Sequence, residues 1–121
     1  MDKVQAIHNF WSQFGLPAYD ENSVPDDAVM PYITYTVSTD SLDEPIPLSG
    51  NLWYRSTLWK DITLKSEEIA KKIAEKGFYS VKLDNGYLWI TKGSPFAQRM
   101  TDTDPVKRIY LNIMAEFLTA Y

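Results

Sequence analysis

Cysteine is missing from this chain altogether, and that absence removes disulfides, thiolate nucleophiles and every zinc or iron–sulfur site built on sulfur ligands. Histidine occurs once, as His8. No pair of imidazoles can therefore hold a metal, and any Ser-His-Asp arrangement would have to recruit this one residue. Glycine is scarce as well. The five glycines each read as a helix stop or a turn, and neither Gly-x-Gly-x-x-Gly nor a Walker-type loop is present, so no phosphate cradle is expected. Nowhere do about 18 apolar residues run together, and the opening Met1-Asp2-Lys3-Val4-Gln5 lacks the basic-then-apolar layout of a secretory signal. The expectation is a cytoplasmic protein with no membrane partner, no metal and no cofactor.

Basic residues are absent from a long stretch of the chain. Between Lys3 and Arg55 there is no lysine or arginine, only acids: Asp20, Glu21, Asp26, Asp27, Asp40, Asp43 and Glu44. Residues 1–54 carry one basic and eight acidic side chains, whereas residues 55–121 carry eleven basic and eight acidic ones. The net charge of −4 lacks the clustered cationic footprint of a nucleic-acid binder, so nucleic acid is disfavoured as a partner. A chain polarised from end to end suits head-to-tail contacts.

What is present is enough for one domain spanning residues 1–121, since 121 residues at 45% hydrophobic content can close a continuous core. Val4, Ile7, Trp11 and Phe14 recur at helical spacing, with Asp2 at the favourable end of the dipole and Gly15 as a stop. Residues 16–31, with Pro17, Pro25 and Pro31, read as an extended surface loop. Residues 32–37 alternate as a strand, residues 38–51 read as a loop or a loose hairpin tip, and residues 51–59 as a second strand. A helix is predicted over 66–76, capped by Ser66, with Ile69 and Ile73 inward and Gly77 closing it. Asp84-Asn85-Gly86-Tyr87 predicts a two-residue hairpin turn centred on Asn85-Gly86, with Leu83 facing Leu88 and Val81 facing Ile90. Gly93-Ser94-Pro95 reads as a breaker. In the last segment Ile109, Leu111 and Ile113 alternate against Arg108, Tyr110 and Asn112, which favours a strand at least through Ala115 over the helical alternative. The fold class is α+β: an antiparallel sheet with helices packed mainly on one side, a two-layer sandwich.

The residues offer little for catalysis. His8 sits beside Ile7 on the first helix and reads as an edge-of-core side chain. The acid pairs Asp26-Asp27, Asp43-Glu44 and Asp102-Thr103-Asp104 could act as glycosidase carboxylates or bind a hard cation, but all lie in proline-bearing loops and read as solvated charge. Aromatics are the richer signal. Trp11, Trp53, Trp59, Trp89 and eight tyrosines in an acidic chain point to core and protein contacts rather than to base stacking. Tyr87 and Trp89 fall on the hairpin face opposite Leu83 and Leu88.

Leu16-Pro17-Ala18-Tyr19 with Val24-Pro25-Asp26-Asp27, the strand Pro31-Tyr32-Ile33-Thr34-Tyr35, the segment Gly93-Ser94-Pro95-Phe96-Ala97-Gln98-Arg99-Met100, and Lys107-Arg108-Ile109-Tyr110-Leu111-Asn112-Ile113 together give a resemblance. The chain resembles the tail-terminator or tail-completion proteins of long-tailed bacteriophages, a group that includes minor tail and head–tail joining proteins. The resemblance implies a sheet flanked by helices and a hexameric ring that caps the tail tube and docks to the neck. It implies the tube protein and neck or head-completion proteins as partners, residence at the head–tail junction of the virion, and no active site. On this reading the interface candidates are Asp40, Asp43 and Glu44 on the acidic side, Arg99, Lys107 and Arg108 on the basic side, and Tyr87 and Trp89 as exposed aromatics. Two other classes stand beside it: an adaptor or ligand-binding module presenting Trp53, Tyr87 and Trp89, and a small hydrolase using loop carboxylates.

Overall fold

The computed structural model of the chain describes residues 1–38, 45–100 and 105–119. Two helices, α1 (Lys3–Ser12) and α2 (Lys60–Ala74), accompany six strands: β1 (Ala18–Asp20), β2 (Tyr32–Tyr35), β3 (Ile46–Arg55), β4 (Tyr79–Leu83), β5 (Gly86–Met100) and β6 (Val106–Thr119). The strands form one sheet in the order β1-β2-β3-β6-β5-β4. It is a mixed sheet curled into a half-barrel, because β1 runs parallel to β2 while every other neighbouring pair is antiparallel. The fold is α+β.

Alternation along β6 organises the core. Ile109, Leu111, Ile113, Ala115 and Phe117 are buried, and their partners Leu52, Gly50 and Leu48 on β3 and Ile90 and Leu88 on β5 share that face. From the helices, Ala6, Ile7, Phe10 and Trp11 of α1 and Ile62, Ser66, Ile69 and Ile73 of α2 are buried. The tightest meeting of helix and sheet is at Gly50, where an added Cβ would lie 2.7 Å from the Trp11 ring. Only a residue without a side chain lets the indole reach the sheet there. Phe10 packs edge-on against Trp11 at 4.9 Å and Phe14 at 5.6 Å. At its start, α1 is capped by Asp2, whose carboxylate accepts from the Gln5 N–H at 2.8 Å. The N-terminal ammonium pairs with the Asp84 carboxylate. Beyond the C-terminal end of α1, the Lys65 ammonium donates to the Phe14 carbonyl at 2.7 Å, which ties α2 to the chain that leaves α1.

Several sequence expectations shift. Val4 is 52% exposed; the buried stripe of α1 runs through Ala6 and Phe10 instead, rotated away from Val4. The Pro-bearing segment 16–31 contains β1, held by Ile33 N–H to Pro17 C=O and Glu21 N–H to Tyr35 C=O, both 2.9 Å. β3 begins at Ile46 rather than 51, and Pro47 fits inside it for a specific reason. Ser49 receives and gives its backbone bonds on the β2 side, at Thr36, so Pro47, two residues back, turns its missing N–H to the same side, beyond the end of β2. Trp59 ends no strand but precedes α2, which starts six residues earlier than predicted. Ser66 is therefore a small buried residue in mid-helix, its hydroxyl donating to the Thr63 carbonyl at 2.8 Å, and not a cap.

The hairpin register is Leu83 with Gly86, Val81 with Leu88 and Tyr79 with Ile90, so the turn residues are Asp84 and Asn85. This differs by two residues from the predicted register and keeps every side chain on its predicted face. Asp84 lies outside the ladder, and its N–H donates to the Met1 carbonyl at 3.0 Å. Gly93-Ser94-Pro95 does not break β5; it forms an irregularity between Lys92 and Ala97, latched by Asn112, whose amide donates to the Pro95 carbonyl at 3.0 Å. The final segment is a strand, as the alternation predicted.

Gly50→Ala is expected to lower the unfolding free energy by about 1–3 kcal/mol, the usual range for overpacking a filled core, measured by denaturant titration. In a Trp11→Leu background the same change is expected to be close to neutral, because the colliding ring is gone. Equal costs in the two backgrounds would contradict this contact.

Candidate interaction surface

The candidate residues fall into three places. Asp40, Asp43 and Glu44 lie outside the described residues. Arg99 and Lys107 converge on the Trp59 ring, at 4.8 and 5.6 Å from its centroid, near the start of α2. Arg108 faces the other way, over the Trp53 ring at 5.1 Å, because neighbouring residues of β6 point to opposite faces. There Trp53 belongs to an aromatic ladder that continues through Tyr32 at 6.5 Å to Tyr19 at 5.8 Å, and its indole N–H donates to Thr34 Oγ1 at 2.9 Å. The three cations that the sequence grouped together thus serve two separate cation–π clusters.

Tyr87 and Trp89 sit at a third place, on the face of β5 opposite buried Leu88 and Ile90. They are 48 and 40% exposed. Phe78, between α2 and β4, is 40% exposed and stacks on Trp89 at 4.8 Å with ring planes 30° apart. These three rings, with Lys72 from the last turn of α2 and Glu75 and Lys76 from the turn that follows it, line a groove of about 610 Å³. The sequence singles out neither Phe78 nor Lys72, and Lys76 only as a residue closing the helix. The available signal was Lys72 and Lys76 at helical spacing directly before Gly77-Phe78, which places both cations on one side of the helix end. Gly77, at φ +86°, ends the helix and turns the chain so that Phe78 enters the groove.

Acids lie at the opposite end of the strand order. Asp20 closes β1, its carboxylate accepting from the Asn22 N–H at 2.9 Å and its carbonyl from the Ser23 N–H at 2.9 Å. A second turn, Ala28 N–H to Pro25 C=O at 3.1 Å, carries Asp26 and Asp27. Among the described residues the salt bridges are the N-terminus with Asp84 and Lys65 with Glu68; neither Asp20, Glu21, Asp26 and Asp27 nor Lys72 and Lys76 take part.

His8 is engaged locally. Its Nδ1 lies 2.8 Å from the Tyr35 hydroxyl and its Nε2 lies 3.2 Å from Ser12 Oγ. The Ser12 hydroxyl donates to the His8 carbonyl at 2.7 Å, so its oxygen accepts from Nε2–H, and Nδ1 accepts from Tyr35. This polarity is the reverse of what a base-activated serine requires, in which the hydroxyl proton points at the imidazole. Among the described residues no group of three or more His, Cys, Asp or Glu side chains could hold a metal, and no helix is long and apolar enough to cross a membrane.

Burial, and then the Asp20 carboxylate, raise the Tyr35 pKa above its ordinary 10.0. The folded state therefore holds the phenolic proton more tightly than the unfolded chain. The resulting stabilisation is whole below the ordinary value and is lost as pH rises through the raised one. Denaturant stability measured on both sides of pH 10 is expected to fall more steeply for the parent than for Tyr35→Phe; parallel curves would contradict the assignment. Compared with protein-family models and with curated proteins, the chain finds no match.

Proposed function

We propose that this chain is a structural assembly protein that joins copies of itself head to tail, in the way its resemblance to phage tail terminators implies: a hexameric ring capping a tail tube and docking to neck proteins. In this reading the helices form one layer over one side of the sheet, a two-layer sandwich that leaves the other face and the sheet edges for contacts. One observation carries the reading. Acids beside β1 and lysines beside β4 stand at the two ends of the strand order, without ion-pair partners among the described residues. A surface bearing one sign at one end and the other sign at the other is complementary to its own copy, and a heterologous contact of that kind closes into a ring when its rotation divides the circle. The sign asymmetry also gives steering and register more than affinity.

The test is mass by light scattering across protein concentration and salt. A multimer is expected at low ionic strength, shifting toward monomer as the screening length falls below about 8 Å. A monomer at every concentration and salt would contradict self-assembly.

A further inference from the structure

We propose that the groove formed by Phe78, Tyr87, Trp89, Lys72 and Lys76 is a socket for the acidic loop 21–30 of a second copy of this chain, with Val29 as the apolar anchor and Asp26 and Asp27 beside it. The inference rests on the self-assembly reading and gives it an interface.

The socket has an apolar floor with a charged rim. Three large rings stay 40–48% exposed although Leu88 and Ile90, adjacent to Trp89 and Tyr87 on β5, are fully buried. Large exposed apolar groups gathered in one concavity mark a contact surface rather than incidental exposure. The rim supplies two lysines at i and i+4, against a single acid, Glu75. The occupant must therefore bring an apolar side chain flanked by carboxylates.

The loop after β1 has that chemistry. Val29 is 78% exposed, the most exposed of the large hydrophobic residues described, and it follows Asp26 and Asp27 within three residues. The loop is held in shape by the turn at Asp20–Ser23 and the turn at Pro25–Ala28, so docking orders little that is not already ordered. Within one chain, no hydrogen bond or ion pair joins loop to groove among the described residues. Because the loop adjoins the first strand in the sheet order and the groove the last, each copy uses two different surfaces. Such a contact closes as a reciprocal pair, each loop in the other copy's groove, or propagates from copy to copy into a ring, according to the rotation between copies.

Reversing charge on one side only should block assembly, and reversing it on both sides in different molecules should restore it. Two variants are needed: Lys72→Glu with Lys76→Glu, and Asp26→Lys with Asp27→Lys. The first has an acidic loop and an acidic rim, the second a basic loop and a basic rim. Each alone is expected to require about tenfold more protein than the parent to assemble in sedimentation velocity, or not to assemble, given the cost of facing like charges. Circular dichroism is expected to match the parent for both. An equimolar mixture is expected to assemble again, because each variant's loop now meets the other's rim with opposite sign. Variants that assemble like the parent overturn the socket while leaving self-assembly standing. A mixture that stays apart also overturns it, and a parent that never assembles overturns both the socket and the reading beneath it.

Discussion

Two-sided pairing of β6 is the constraint on which the structure depends. This last strand in sequence lies between β3 and β5 and pairs with both, so the sheet is divided into β1-β2-β3 and β5-β4 until residues 106–119 are in place. Its alternation decides the faces for all the rest. Leu111 and Ile113 turn inward, which fixes Gly50 opposite Leu111, and Gly50 in turn admits the Trp11 ring. The same alternation sends Arg108 to the far face, against Trp53. The β5–β6 ladder starts from residues close in sequence, Met100 opposite Arg108, whereas the β3–β6 ladder joins residues more than 50 positions apart, Arg55 opposite Val106, and that long-range pairing is the part whose loop entropy is lost before its contacts form.

What could be read in the sequence followed from local chemistry. The β6 alternation, the faces of the hairpin and the helix stop at Gly77 are each set by residues within a few positions, and each stands in the structure. Errors arose where tertiary partners decided. β1 has only three residues and exists because β2 offers it a parallel ladder, which nothing in Ala18-Tyr19-Asp20 announces. Pro47 argued against a strand, yet its missing N–H turns to a side where no strand needs it. Ser66-Glu67-Glu68 carries the residue types of a helix start, and only the burial of Ile62 reveals that the helix is already under way. The hairpin register differs by two, a shift that preserves every face, and the observed one leaves Asp84 free to bond Met1, 83 residues away.

The candidate surface was legible in part for the same reason. Tyr87 and Trp89 could be assigned to the outer face from alternation alone, but the groove needed α2 to end beside β4 so that Lys72, Lys76 and Phe78 meet them. Arg99, Lys107 and Arg108 are close in sequence or in register, yet strand alternation separates Arg108 from the other two. Trp59 and Trp53 engage these cations through their ring faces, and in the α2–β4 groove exposed rings coincide with lysines that have no ion-pair partner among the described residues. Charge polarity along the chain thus becomes a polarity of the strand order: acids after β1, the first strand in that order, and lysines beside β4, the last.

The central claim is that this polarity joins one copy to the next through loop 21–30 and the groove. The most direct measurement is zero-length carbodiimide coupling of carboxylates to lysines in an equal mixture of ¹⁴N and ¹⁵N protein, read by mass spectrometry of the linked peptides. The account predicts peptides joining Asp26 or Asp27 to Lys72 or Lys76 with mixed isotope labels, which only a contact between two copies produces. Linkages confined to one label, or mixed-label linkages that never include this pair of segments, would contradict it.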